Sequence, residues 1–144
     1  MLLALALWVG GIVYFTAIAA PAVLQAISDR AVGGALISRS LVQLHNLGIT
    51  CAVVFLGCSL IYLRRTRGEI KAFAPQHLLV LVMLACTLVS QRAVLPAIAL
   101  LRMGPQNAAT VAQFQRLHSW SVGLEGATLL FGLILLYLIA RRLR

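Results

Sequence analysis

Four long apolar runs, separated by short polar segments, dominate the sequence. They cover residues 2–26, 37–63, 77–101 and 117–140. An α-helix needs about 20 apolar residues to cross the hydrocarbon core of a bilayer, and each run is at least that long. The pattern therefore predicts an all-α fold: an integral membrane four-helix bundle in which residues 1–144 form one domain.

Two polar segments predict where helices begin. Ser28-Asp29-Arg30 is typical of a helix start, with a small polar cap and an acid in the first turn. Gly104-Pro105 predicts another start, because proline is favoured at early helical positions. Helices that begin there and continue through the second and fourth runs would be more than about 50 Å long at 1.5 Å per residue. They would project beyond the membrane surface or bend at it.

The composition excludes a water-soluble fold. Hydrophobic residues make up 62% of the chain and charged residues only 10%, whereas soluble domains carry about 25% charged residues. The net charge of +9 does not indicate nucleic-acid binding, because the basic residues stand between the apolar runs rather than along one face. The predicted partner of the molecular surface is therefore the lipid bilayer.

The basic residues predict the orientation in the membrane. With four spans, both termini and the loop between the second and third spans share one side. Lysine and arginine mark the cytoplasmic side, and the shared side carries more of them, so both termini are predicted to be cytoplasmic. The shared side holds Arg64, Arg65, Arg67, Lys71, Arg141, Arg142 and Arg144, and the opposite side holds Arg30, Arg39, Arg102 and Arg116.

Similar tripeptides recur in the two halves of the chain. In each half a Pro-Ala pair is followed, after a polar stretch, by a Leu-His pair. The spacing predicts two parallel two-helix repeats, in which His45 and His118 occupy matching positions at matching depths. The matched segments are Pro21-Ala22-Val23 with Gln43-Leu44-His45, and Pro96-Ala97-Ile98 with Arg116-Leu117-His118.

Ionisable residues inside the spans predict a polar cluster. Such residues are costly in lipid and indicate a functional site by default. Arg92 is expected to face the bundle and to pair with Glu125, the single acid inside a span. Gln91 extends the cluster on the third span, and Ser121 shares a helical face with His118 and Glu125. A structural ion pair and a role with anions or protons both remain open.

His45 and His118 are the candidate ligands. Two histidines at one depth could ligate a b-type haem or a transition-metal ion, relay protons, or form ordinary hydrogen bonds; the sequence leaves these alternatives open. His45 also belongs to a narrow stripe on the second span that repeats every seven residues, together with Ser38, Ala52 and Ser59.

Small residues on the first and fourth spans predict close helix packing. Gly10 and Gly11 are adjacent on the first span and allow a close approach. Ser119, Gly123 and Ala127 are spaced by four on the fourth span, which is the pattern of a helix-packing seam in membranes.

Several short motifs resemble the transmembrane protein 205-like family across nearly the whole chain. They are Leu-Trp-Val-Gly-Gly at residues 7–11, Ala20-Pro21, the Asp-Arg segment at 29–33, and the Phe-x-x-Leu-His-x-x-Ser segment at 114–121. The resemblance implies a four-span protein with no settled activity, of bacterial origin and in the plasma membrane. Eukaryotic relatives linked to platinum-drug tolerance, and four-span copper-resistance proteins, imply metal, drug or haem handling by analogy. Glu125 departs from the neutral amide common in that family.

Three functions fit these features. The first is binding or movement of a metal ion, haem or small solute at a site formed by His45, His118 and Arg92. The second is a non-catalytic helical subunit of a larger membrane complex, or of a homo-oligomer. The third is a membrane redox protein with a bis-histidine haem. No nucleophile or base with a recognisable orienting group occurs in the sequence, so an enzyme is disfavoured.

Cysteine labelling tests the predicted orientation. In a background without native cysteines, single cysteines at residues 66–70 are expected to resist a membrane-impermeant thiol reagent in intact cells, because this loop would face the cytoplasm. They should react once the membrane is opened. Ready labelling in intact cells would reverse the orientation.

Overall fold

The computed structural model describes residues 1–65, 75–105 and 107–142. The loop at 66–70, on which the labelling prediction depends, lies outside these ranges. The described residues contain no strand, and the predicted all-α fold with four candidate spans is confirmed. We call these helices the first to fourth spans: Leu2–Ala26, Arg30–Tyr62, Pro75–Met103 and Ala108–Arg141.

The first and third spans each contain one wider, π-helical turn. The first span is made of α1 (Leu2–Tyr14), a π-helical turn (Phe15–Ala19) and α2 (Ala20–Ala26). The third is made of α4 (Pro75–Val89), a π-helical turn (Ser90–Val94) and α5 (Leu95–Met103). The second and fourth spans belong to the uninterrupted helices α3 (Arg30–Arg65) and α6 (Ala108–Arg142).

A proline follows each π-helical turn at the same short distance. Pro21 and Pro96 both occupy the second position of the next helix. A proline cannot donate a backbone hydrogen bond, and its ring crowds the carbonyl four residues earlier. The backbone accommodates the proline with a hydrogen bond that spans five residues instead of four. In the first span the N–H of Ala20 donates to the carbonyl of Phe15. The two spans therefore share a local feature, whereas the internal repeat as a whole stays a prediction.

An aspartate caps the start of α3. Asp29 Oδ1 accepts hydrogen bonds from the N–H groups of Ala31 at 2.8 Å and Val32 at 3.3 Å. The cap is therefore Asp29, not Ser28 with an acid in the first turn, because the carboxylate reaches the free N–H groups itself. α3 has 36 residues, or about 54 Å of helix, and the length predicted for this helix is confirmed.

An asparagine caps the start of α6. Asn107 Oδ1 accepts the N–H of Thr110 at 2.9 Å, and Thr110 Oγ1 accepts the N–H of Asn107 at 2.9 Å. The predicted start at Gly104-Pro105 is wrong, because the carbonyl of Pro105 bonds to the N–H of Asn107 in a turn before the helix. α6 has 35 residues, so it is about as long as α3.

The four spans form a ring in sequence order. The first span packs mainly on the second and fourth, and the third also packs on the second and fourth, so the second and fourth spans lie on a diagonal. We call the end at which the first span begins and the fourth span ends the terminal end, and the end at which the second and fourth spans begin the connection end. Large buried side chains fill the bundle towards the terminal end: Leu5, Phe55, Val80, Met83 and Leu135.

Two glycines allow the first span to approach its neighbours closely. A Cβ added to Gly48 of α3 would lie 2.7 Å from Trp8 Cε2, and one added to Gly132 of α6 would lie 2.5 Å from Val9 Cγ2. Both distances are too short for real carbon atoms, so larger residues at these positions would push the helices apart. The sequence pattern did not single out either glycine.

The small residues predicted to pack behave differently from one another. A Cβ on Gly11 would come within 3.0 Å of a leucine of α3, whereas Gly10 has open space around it. Ser119 and Gly123 are exposed, and Ala127 is half-buried. The stripe on α6 is therefore not a seam within this bundle, because the opposite, polar face of α6 is turned inward instead.

Replacing one or the other of two α3 glycines, Gly48 and Gly57, with alanine tests the close approach. Gly48→Ala is expected to lower the free energy of unfolding by about 1–3 kcal/mol, because the added methyl group overpacks against Trp8. Gly57→Ala is the matched control on the same helix, since a Cβ there meets no atom within 4 Å. Melting temperatures in detergent measure both, and an unchanged value for Gly48→Ala would contradict the packing.

Candidate functional site

A cavity of about 920 Å³ opens among the four spans at the connection end. Every span contributes to its wall, and most of the wall is apolar. Its polar and charged lining residues are Thr16, Arg30, Ser38, Arg102, His118, Ser121 and Glu125. The predicted polar face of α6 therefore lines this cavity with His118, Ser121 and Glu125.

Arg102 is held at the mouth of the cavity by two helices. Its Nη1 donates to Ser38 Oγ at 3.0 Å, and its guanidinium lies against Gly34, where an added Cβ would be 2.9 Å from Nη2. On the other side, Cζ lies 5.5 Å from the ring centroid of Phe114, which stacks in parallel on His118 with 6.0 Å between centroids. Spacings of four on α3 and on α6 place these residues on single faces.

His45 and Glu125 form a buried pair below this cluster. His45 Nε2 and Glu125 Oε1 share a hydrogen bond, and both side chains are buried. This is the one ion pair among the residues that the structure describes, and it crosses the diagonal between α3 and α6.

The Arg92–Glu125 pair expected from the sequence is not formed. Arg92 is exposed on the third span and has no partner in the described part of the chain, while Glu125 pairs with His45. Ser90 and Val94 on either side of Arg92 are buried, so Arg92 itself points away from the bundle. Counting acids and bases along the spans overlooked the buried histidine as an alternative partner.

Gln91 also makes a different contact from the one predicted. Its Nε2 donates to Asn46 Oδ1 at 2.9 Å, which links the second and third spans beside Arg92. Gln91 is half-buried and Asn46 is exposed. The polar cluster predicted around Arg92 is therefore divided: its third-span members lie on the outside of the bundle, and its α6 members lie on the cavity wall.

His45 and His118 do not occupy equivalent environments. His118 lines the cavity and is exposed, whereas His45 is buried behind Glu125 and is not part of the wall. His45 Nε2 is engaged by Glu125, so ligation of one iron by both histidines would have to use the buried His45 Nδ1, or Nε2 would have to leave Glu125. The described residues also contain no cluster of three His, Cys, Asp or Glu side chains that could hold a metal ion.

One buried atom beside the floor of the cavity is unpartnered. His45 Nδ1 is buried and has no hydrogen-bond partner in the described ranges. Buried polar atoms are nearly always bonded to protein or water, so this nitrogen offers a position for a water molecule or a ligand group. Ser121, one helical turn from Glu125, supplies a hydroxyl group to the same wall.

A second histidine contact, only partly buried, lies towards the terminal end. Ser59 Oγ and His77 Nε2 share a hydrogen bond between α3 and α4, and His77 is half-buried. The seven-residue stripe on α3 thus contacts a different helix at each polar position, with Ser38 on α5, His45 on α6 and Ser59 on α4. The sequence predicted the stripe but not these partners.

Arg102 is the site residue that sequence reasoning missed. The sequence indicates it only as a basic residue of a connection, because it is the next-to-last residue of its helix. The signal for its role is divided between two distant segments, Gly34 with Ser38 and Phe114 with His118. These two segments come together only in the folded protein, where they hold one guanidinium group.

Comparison with known families adds one match. A family model described as Domain of unknown function (DUF4149) matches residues 3–107, which is more than half of the chain. The matched range includes Arg30, His45 and Arg102 and ends before Glu125. No curated protein and no solved structure matches the chain significantly. The match does not name the transmembrane protein 205-like family, so that resemblance stays a prediction.

Mutating the buried pair tests its contribution to stability. Replacing His45 or Glu125 alone with leucine is expected to cost about 3–5 kcal/mol, because each change leaves an unpaired polar group in the interior. The double variant should lose less than the sum of the two, since neither group is then left alone. Equilibrium unfolding in mixed detergent measures all three. Arg92→Leu is the control and should change stability little; strictly additive losses would contradict the pair.

Proposed function

We propose that this chain, which belongs to the DUF4149 family, binds an organic anion in the cavity at the connection end. The observation that carries the proposal is the arrangement of charge around an apolar wall: two arginines line the cavity, and its one carboxylate is already paired with a buried histidine. The sequence predicts a small solute as one possible ligand, and the charges of the cavity favour a negatively charged one.

The charges of the wall favour an anion. Arg30 and Arg102 contribute two guanidinium groups, against the single carboxyl group of Glu125, which is hydrogen-bonded to His45. Within a low-dielectric surrounding an uncompensated cation attracts an anion far more strongly than in water. A guanidinium also presents several N–H donors in a plane that matches the oxygens of a carboxylate or phosphate.

The cavity suits a ligand that is mainly apolar. Its volume of about 920 Å³ falls within the roughly 300–1,000 Å³ typical of small-molecule sites. Leu41, Leu95, Ile98 and Leu129 belong to the wall, and they would contact a hydrocarbon or aromatic body. An inorganic ion would leave most of that surface without a partner, whereas an organic anion fills both parts of the site.

The location proposed for the protein places the cavity on the outer side. The basic residues of the terminal end support cytoplasmic termini, in a bacterial plasma membrane. The connection end, with Arg30 and Arg102, then faces outward. A relationship with the transmembrane protein 205-like family is proposed on the motifs given above.

Haem and metal binding are less well supported by the geometry. Both proposals from the sequence depend on His45 and His118 acting together, and the two differ in access to the cavity. Of the two histidines, only His118 lines the cavity in which a ligand would lie. An optical spectrum and metal analysis of the purified protein separate these functions from anion binding.

A helical subunit of a larger assembly is the second candidate. The observation that favours it is the stripe of Ser119, Gly123 and Ala127, of which the first two are exposed and the third is half-buried, and which lines a shallow groove on the outward face of α6. Small residues spaced by four allow close packing of a second membrane helix. Exclusively monomeric protein in mild detergent would count against this function.

A water-soluble aromatic anion tests the proposed binding site. Phenyl phosphate is expected to bind the purified protein saturably, as measured by titration calorimetry in a non-ionic detergent. Arg102→Gln should weaken binding at least about tenfold, because a hydrogen bond to a charged group contributes about 1.5–3 kcal/mol.

Arg116→Gln is the matched control for this experiment. Arg116 lies on α6 near the same depth, but it lines the outward groove instead of the cavity. Its replacement removes the same charge from the protein and should leave the affinity unchanged. Absence of saturable binding to the unaltered protein, or equal losses in both arginine variants, would overturn the proposal. Melting temperatures verify that each variant is folded.

A further inference from the structure

The first span leaves one side of the cavity uncovered. Its π-helical turn, Phe15–Ala19, and α2 contain no buried residue. This half of the span packs mainly on α3, whereas α6 packs on α1 in the other half. The first and fourth spans therefore separate towards the connection end.

The two edges of this separation both line the cavity. Thr16, Ala20 and Leu24 follow one another at intervals of four on the first span, and Val122 and Gly126 stand on α6. Thr16 lies ten residues, or about 15 Å of helix, from the end of α2. The opening thus reaches well into the depth that acyl chains occupy in a bilayer.

Positive charge is concentrated at the end of the cavity that lies near the membrane surface, away from Thr16. Arg30 is the first residue of α3, and Arg102 is the next-to-last residue of α5. Both helix ends belong to the connection end, so the two guanidinium groups lie near the level of lipid head groups. Below them the wall is apolar down to Ser121 and Glu125.

We propose that the ligand is a phosphate-headed lipid of the adjacent leaflet, which enters sideways between the first and fourth spans. The phosphate lies against Arg30 and Arg102, and an acyl chain occupies the apolar part of the cavity. This inference rests on the proposed anion-binding function and adds the ligand class and its route. Charge complementarity favours a phosphate head group. The lateral opening at acyl-chain depth favours a ligand that comes from the membrane.

Two exposed glycines on α6 provide a matched test of the route. Gly126 stands at the edge of the opening and Gly123 faces the outward groove. A Cβ at either position meets no atom within 4 Å, so both tolerate a larger side chain. Gly126→Leu fills the opening, whereas Gly123→Leu adds the same side chain to another face of the same helix.

The measurement is the motionally restricted fraction of a spin-labelled lipid around the protein in phosphatidylcholine nanodiscs. Spin-labelled phosphatidic acid is expected to show a larger restricted fraction than spin-labelled phosphatidylcholine. The excess should fall severalfold in Gly126→Leu and persist in Gly123→Leu. Val122→Trp, at the same edge, should repeat the loss and provides a second variant if Gly126→Leu does not fold.

Phenyl phosphate binding separates failure of this inference from failure of the proposed function. The small anion reaches the arginines from water, and its binding is measured on the unaltered protein and on Gly123→Leu, where it is expected to be equal. If it binds but phosphatidic acid shows no excess over phosphatidylcholine, or equal excess in both variants, the lipid inference is overturned and anion binding stands. If phenyl phosphate does not bind the unaltered protein, both are overturned.

Discussion

The buried pair of His45 and Glu125 is the constraint on which the bundle depends. A carboxyl group cannot remain alone in the interior of a membrane protein, so α6 must present Glu125 where α3 presents His45. These helices lie on the diagonal of the ring, and one hydrogen-bonded contact therefore fixes the rotation and height of both. Large apolar side chains fill the bundle on one side of the pair, and the cavity opens on the other.

The cavity also depends on how the first and third spans accommodate proline. Each of these spans has a π-helical turn shortly before its proline, and beyond that turn the first span packs mainly on α3 rather than on α6. The third span stays close to α6 beyond its own turn and delivers Arg102 to Phe114. Beyond its π-helical turn the first span therefore leaves the bundle open, whereas beyond the corresponding turn the third span keeps it closed.

Much of the fold could be predicted from the sequence because it depends on local patterns. The lengths of the apolar runs determine the spans, and the seven-residue stripe identifies the inward face of α3. Which side chains pair with each other could not be predicted, since the pairing depends on the rotation of each helix about its axis. Arg92 and His45 were both chemically suitable partners for Glu125, and only the burial of Ser90 and Val94 turns Arg92 away. Arg102 was missed because the groups that hold it are far apart in the chain.

The unequal lengths of the helices have a consequence for the surrounding lipid. α3 and α6, at 36 and 35 residues, exceed the roughly 40–45 Å thickness of a whole bilayer, while the first span, with 25 residues, is close to it. The four apolar runs have similar lengths, so the additional turns of α3 and α6 extend beyond the hydrocarbon core. Most of these turns, at residues 30–36 and 108–116, stand at the connection end, so lipid beside the cavity mouth meets protein in its head-group layer as well as along its acyl chains.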